Sequence, residues 1–523
     1  MSGLDDFDRG EPEDRDLSDP ANRLHLERND VGNARRLQAL LCDEMIYVHG
    51  RGWLVWNGTH FDAEAGAEMA LGKAVVLCEA IEAEAAAYHS QPVGKALVEE
   101  RMAVADLTYE QAETKIKAER KKALKDFAVR CGNVARLRAA LDLARPMFKV
   151  SGDALDGRRS ILQVANGTLD LDAIATEPPD AEEDDERLAR LSSALRPAEK
   201  AGYPTRVAGC AFNPEARAPQ WERFIGLIMP AAADRSYLQR CMGALLGGQR
   251  DEVVFVLLGQ GGNGKSTLIK GIEGVMGGFA QPCRMELFCE HRSGGQGPTP
   301  EEAILGGARA YFASEPDQHV TLSAGAVKGM TGGNSRLVHA KGKEPFSLHM
   351  VGYPVMQMNR MANVNDPSDG FWRRIFPILF GENLGALPED QRVSSSQMEA
   401  ILREEREGIL NWMLAGWAEY RAIGLKPPAS VQALKGSLRE LADPVGAFLN
   451  AHCSIGPGRR VTTTALHKAY KAWCEEEGNK TMSGKAFTAA MLARDHTRGK
   501  SHGKRYWHNI ELLHEPPTST GAE

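Results

Sequence analysis

The sequence has no long apolar run. Nowhere in its 523 residues does an uncharged hydrophobic stretch reach the roughly 18–20 residues that a bilayer demands, so no membrane partner is expected. The start, MSGLDDFDRGEPEDRDLSDP, lacks the basic-then-apolar order of a secretory signal and the basic amphipathic character of a transit peptide; cytoplasmic residence is the expectation. Nine cysteines include no CxxC pair, which suits reduced thiols and argues against a disulfide scaffold. The nearest approach to a metal cluster, Cys283, Cys289 and His291 in CRMELFCEH, fits no standard zinc spacing and has no second ligand pair. No internal repeat is present, so a solenoid is excluded as well.

What the chain has is charge in blocks. Residues 1–20 hold eight acidic and two basic side chains, and EPPDAEEDDER (177–187) holds seven acids and one arginine. Blocks of this kind read as solvated tails or linkers. They account for the net charge of −7 and leave a mildly basic remainder. Its most basic part is Cys453–Asn509, with eleven Lys/Arg and four Asp/Glu, so an anionic partner is open.

Element signals follow the same order. A helical segment DVGNARRLQALLCDEM precedes GWLVWNGTHFDA, where Asn57-Gly58 between β-prone runs predicts a tight hairpin. Ala/Glu/Lys/Arg-rich sequence from about 67 to 145 predicts long helices, and SILQVANGTLDLDA a second strand–turn–strand. From Asp251 to about Phe380, short apolar strands alternate with helices and glycine-rich turns, the pattern of an α/β domain around a mostly parallel sheet.

Within that domain, VVFVLLGQGGNGKSTLIKGIEGVM matches the phosphate-binding template GxxxxGK[ST] in its required setting: an apolar strand before, a helix after. Gly259, Gly261, Gly262 and Gly264 let backbone N–H groups converge on a phosphate, and the helix N-terminus adds a favourable dipole. Asn263, Lys265, Ser266 and Thr267 complete the predicted nucleotide site. Lys265 is expected on the β- and γ-phosphates of ATP and the Ser266 hydroxyl on Mg²⁺. ARAYFASEPD places Glu315 at a strand exit, positioned to help hold Mg²⁺ and orient water. Beyond it lie KGMTGG (with Lys328 and Thr331), a hairpin whose tip HAKGKE carries Lys341 and Lys343, a strand ending at Asn359, and Arg373-Arg374 directly before an apolar strand.

That order of motifs resembles the superfamily 3 helicases, in particular the phage- and plasmid-type primase/helicase family with its poxvirus members. The resemblance runs from about residue 28 to the basic C-terminal region. It implies an AAA+-like P-loop helicase core in an α/β fold, preceded by a mixed α/β domain. It also implies a ring, usually a hexamer, with ATP between subunits and 3′→5′ movement on single-stranded or forked DNA. On that basis Glu315 polarises water, Asn359 senses the γ-phosphate, and Arg374 reaches a neighbour's site as an arginine finger, with Arg373 the alternative. Lys341 and Lys343 would face the channel and hold DNA phosphates without reading bases.

The last region predicts two helices and a basic β-wing, the plan of a winged-helix DNA-binding domain, with Arg498, Lys500, Lys504 and Arg505 on phosphates. Asp170 and Asp172 form a DxD, but no histidine follows before His291, so a turn explains them better than primase chemistry. The expected divisions are an acidic tail at 1–26, an N-terminal domain at 27–205, the helicase at 206–435 and the winged helix at 436–523. A replicative helicase of a phage, prophage or plasmid is the expected function, with a replication initiator or primase as possible partner. An ATP-switched origin-binding initiator without unwinding, or the helicase part of a primase-helicase, is the alternative.

Overall fold

The structure is a computed structural model that describes residues 16–88, 91–175, 184–248, 251–289, 300–314, 321–333, 335–338, 346–364, 368–389, 392–441, 443–477, 481–492, 494–501 and 503–513. After the single turn Pro20–Arg23, the first region has the helix Asp30–Leu41, whose start is capped by the Asn29 side chain. It packs against a small sheet in the order Phe61–Asp62, Gly52–Trp56, Met45–Val48, Lys149–Val150. The expected two-residue Asn-Gly hairpin is instead a four-residue loop, since Trp56 pairs with Phe61. Asn57 Oδ1 accepts from the N–H groups of Thr59 and His60, and this local bonding fixes the wider loop. The charged Ala-rich run folds as successive helices, Gly66–Ala74, Val76–Ala87, Lys95–Ala105, Tyr109–Cys131 and Val134–Ala144. A buried ionic knot ties them to the start: Arg36 grips Glu84 in a fork at 2.8–3.1 Å and Arg23 adds a third bond at 3.2 Å.

The centre is a five-stranded parallel sheet. In chain order its parts are α1 (Pro219–Ile228), α2 (Ala232–Ala244), β1 (Val254–Leu258), α3 (Lys265–Met276), β2 (Ala280–Arg284), β3 (Ala310–Ser314), α4 (Ala324–Thr331), β4 (Tyr353–Met358), β5 (Ile375–Leu379), α5 (Ser395–Glu404), α6 (Arg406–Ile423) and α7 (Ala429–Leu441). The strand order is β5-β1-β4-β3-β2. Every residue of β1 is buried, as a strand covered on both faces must be. Phe255 and Leu257 face α1–α3, α5 and α6; Val254, Val256 and Leu258 face α4 and the end of α7. The chain leaves β1 for the far edge and returns strand by strand before stepping over to β5. Order therefore reverses beside β1, where open α/β sheets form a crevice at the strands' carboxyl ends.

The expected division at 205/206 does not coincide with the packing. Leu162, Val164, Leu169, Leu171 and Ile174 share one apolar cluster with Trp221, Phe255 and Trp417. Trp417 Nε1 donates to the Leu171 carbonyl at 2.8 Å. The small antiparallel sheet of Ile161–Val164, Gly167–Asp170 and Leu195–Arg196 thus belongs with the central unit. The acidic run misled because a block of like charge does not tell whether the segments on its two sides share a core.

The last unit has its own core, with Phe448, Tyr470, Phe487 and Trp507 at its centre. It runs α8 (Pro444–His452), β6 (Cys453–Thr462), α9 (Thr463–Glu476), α10 (Gly484–Leu492), β7 (Arg498–Ser501), β8 (Lys504–Leu512), with antiparallel order β6-β8-β7. It begins at Asp443 and not at 436, because α7 buries Leu438 in the central unit. Two elements, α8 and β6, went unseen in the sequence. Gly456, Pro457 and Gly458 interrupt the alternation of β6, and its register with β8 shifts between Ile455 and Arg460.

Candidate nucleotide site and basic surfaces

The glycine loop joins the buried end of β1 to α3 at the carboxyl edge of the sheet. Gly259, Gly262 and Gly264 have φ of +152°, +78° and +88°, a region that side chains strain to occupy. At two of them there is no room either. A Cβ on Gly259 would lie 2.2 Å from Asn263 Nδ2, and one on Gly264 would lie 2.7 Å from Ile228 Cγ2. Gly261 has nothing within 4 Å of where its Cβ would be, so the loop is open on its outer side.

Gly264 is also the N-cap of α3 and supplies no side chain to the first-turn N–H groups. A twelve-residue helix thus presents uncapped donors and the positive end of its dipole at the loop. Lys265 is only 3% exposed. Its ammonium donates to the carbonyl of Gly259, to that of Gln260 at 3.1 Å and to Asn263 Oδ1 at 3.1 Å. Asn263 Nδ2 in turn donates to the Phe380 carbonyl at 3.0 Å, and the Leu384 N–H to Gly262 at 3.0 Å. The loop is therefore held in shape by its own lysine and by the segment that follows β5.

Ser266 is exposed in the first turn, and its hydroxyl accepts from Gln357 Nε2 at 3.1 Å. A hydroxyl oxygen has a second lone pair for a cation. Asn359 lies exposed just beyond β4 on the same edge, lining a cavity of about 720 Å³ beside the loop. Thr267 is half-buried one residue deeper in α3. The structure thus brings Gly259, Gly261, Gly262, Asn263, Gly264, Lys265, Ser266 and Asn359 to one edge. Glu315, Lys341 and Lys343 lie outside the described residues; the hairpin strands Ser335–Val338 and Phe346–His349 do pair antiparallel, as expected.

The two arginines sit at the opposite edge. Ile375 pairs with Val254 and Leu379 with Leu258 in parallel register. The start of β5 is therefore about 15 Å from the loop along the strands. Arg374 is buried at 6% exposure. It donates to Thr331 Oγ1 at 3.2 Å, to the Gly370 carbonyl at 2.6 Å and to Glu252. An arginine held on three sides within its own chain is less suited to reach a neighbour than an exposed one. Arg373 is exposed, touching Glu252 at 3.4 Å. KGMTGG supplies Thr331 as the anchor for Arg374, a link that only the fold reveals.

Arg498, Lys500, Lys504 and Arg505 are all exposed on β7 and β8, with Lys500 paired opposite Arg505 and Ser501 opposite Lys504. Residues missed by the sequence reading extend this surface. Arg460 on β6 pairs with His508 and lies 5.5 Å from the Tyr506 ring centroid. The α10 helix bears Lys485, Ala486, Ala489 and Leu492 outward, and Thr488 Oγ1 bonds back to Gly484. Asp170 caps the helix Leu171–Ile174 and pairs with Arg196, while Asp172 pairs with Arg421 at 2.6 Å. Both carboxylates are engaged in holding the fold. Gln357, which donates to the Ser266 hydroxyl, also escaped as a functional side chain; it is visible only as an amide near a strand end.

Residues 34–230 match the family described as D5 N terminal like, and residues 440–493 the family described as Poxvirus D5 protein-like. The first match runs past residue 205 into α1, in step with the shared core. Over 43% of its length the chain is 27% identical to a protein of Acanthamoeba polyphaga mimivirus named "Putative helicase L207/L206", covering 25% of it. Over 48% it is 28% identical to "Putative helicase 022R" of Frog virus 3 (isolate Goorha), covering 27%. The chain thus spans about a quarter of the length of these curated relatives. The apo structure of the NrS-1 C-terminal region is similar at a TM-score of 0.35 and 12% identity, over 57% of this chain and 76% of that one; so slight a likeness bears no weight. The comparisons thus give similarity to two D5-type family models and to viral proteins that carry helicase names.

Proposed function

We propose that the chain is the ATP-hydrolysing motor of a superfamily 3-type DNA helicase serving a phage, prophage or plasmid, with a basic DNA-binding module at its C-terminal end. One observation carries the reading: a glycine loop with an uncapped helix start and a buried lysine stands where the order of a parallel sheet reverses. Nothing in that geometry favours a neutral ligand. Lys265 is braced on the Gly259 and Gln260 carbonyls, and a triphosphate would draw it off them into a charge-assisted bond. Mg²⁺ would be held at the Ser266 hydroxyl with Glu315, neutralising phosphate charge.

Asn359 is suited to orient the terminal phosphate from the β4 end. The finger is Arg373, on the face farthest from its own loop, so it serves a nucleotide on an adjacent copy and the working form is an oligomer, by the resemblance a hexamer. Arg374 is the post that holds Arg373 in place. Lys341 and Lys343 would track single-stranded DNA. The helix–strand–helix–helix–strand–strand order of the last unit, with three strands in one antiparallel sheet, supports a winged helix. Its basic sheet also favours the second reading, an origin-binding initiator that uses ATP as a switch.

DNA-stimulated ATP hydrolysis and strand displacement on a forked substrate test both. Wild type should hydrolyse and unwind, and Lys265→Ala should do neither. Hydrolysis without unwinding would leave the initiator reading; no nucleotide binding at all would end both.

A further inference from the structure

The cavity beside the glycine loop is larger than a phosphate chain requires, and while Asn263, Asn359 and Arg360 line part of it, one side is aliphatic. Its volume is about 720 Å³, within the range of small-molecule sites. One wall is the loop itself, Gly259–Gly261. The far wall is α7, which contributes Leu434, Leu438 and Leu441. Their spacing of four and then three residues puts them in a single stripe on one helix face. Leu441 is 79% exposed, and Leu379, lining the same cavity from the end of β5, is 51% exposed. Two bulky apolar side chains are thus held open to water within a few residues of a site shaped for charge. A group that is anionic at one end and flat and apolar-faced at the other matches that pairing.

The same helix has a second attachment. Leu441 is two residues from Asp443, whose carboxylate accepts from the Gly446 N–H at 2.8 Å and pairs with Arg494 just beyond α10. The end of α7 that reaches the cavity is therefore the end that holds the C-terminal unit.

We infer that the aliphatic stripe of α7 is the nucleobase wall of the site, and that a nucleotide, unlike a phosphate chain alone, orders the helix end from which the C-terminal unit hangs. The inference rests on the nucleotide-site reading above. Stacking a base against Leu441 and the half-buried Leu434 removes apolar surface from water on both partners, and α7 gains a neighbour where it now faces solvent.

Hydrogen–deuterium exchange of the full chain, with Mg²⁺ and either ADP or inorganic tripolyphosphate, separates the two contributions. Both probes should slow exchange across 259–267, and only ADP should slow it across 434–441. Leu441→Glu, at a position exposed enough to spare the fold, should weaken ADP at least about tenfold while leaving tripolyphosphate unchanged. Equal patterns from the two probes, or wild-type ADP affinity in Leu441→Glu, would overturn the base wall and leave the phosphate site standing. Absence of protection at 259–267 with either probe would overturn the phosphate site, and the base wall with it.

Discussion

Single residues in this protein divide sharply by whether they can move. Gly264 cannot be replaced: its φ of +88° and the 2.7 Å approach of Ile228 exclude a side chain. Gly264→Ala is expected to cost roughly 2 kcal/mol in denaturant melts and to abolish nucleotide binding, whereas Gly261→Ala, with open space around it, should keep the stability of wild type. The two arginines part in the same way. Arg374→Ala removes bonds to Thr331, Gly370 and Glu252 from a buried position and should destabilise by about 3 kcal/mol. Arg373→Ala should melt like wild type yet lose multiple-turnover hydrolysis, and mixing it with Lys265→Ala protein should restore part of the rate if each supplies what the other lacks. Sequence could not choose between the neighbours, because adjacent strand-flanking positions differ by which face they take, and only packing assigns the face.

Elements were legible in proportion to how local their causes are. The run VVFVLL needed only its own apolarity to read as a fully buried parallel strand, and GQGGNGKST only its backbone demands to read as a loop opening a helix. The Asn57-Gly58 turn read correctly as a reversal but with the wrong length, since Asn57 spends its side chain on the loop's own N–H groups. Strand β6 was lost to its internal Gly-Pro-Gly. The knot of Arg23, Arg36 and Glu84 was invisible because its members lie up to 61 residues apart. It is also costly to break from one side: Glu84→Ala leaves two buried guanidinium groups without their carboxylate and should destabilise by about 3–5 kcal/mol. Chemical denaturation measures this, and Glu84→Gln should recover only a minor part.

At the scale of the whole molecule, the net charge of −7 conceals a C-terminal unit with eleven basic and four acidic side chains over Cys453–Asn509. The acidic blocks lie elsewhere in the sequence, so attraction for a polyanion is concentrated in the C-terminal unit. The outward face of α10 has little with which to read base edges: Lys485 is its single long polar side chain there. Binding through this unit should therefore be dominated by phosphates and by counterion release. Replacing Arg498, Lys500, Lys504 and Arg505 together by Ala should lower the slope of log K against log salt by about 3 to 4, with similar losses on unrelated sequences. Any ATP hydrolysis without DNA should not change, since none of the four lines the cavity beside the glycine loop. Fluorescence anisotropy with labelled duplexes across a salt series decides it. An unchanged slope would assign the basic sheet to a protein partner and leave DNA contact to the hairpin bearing Lys341 and Lys343.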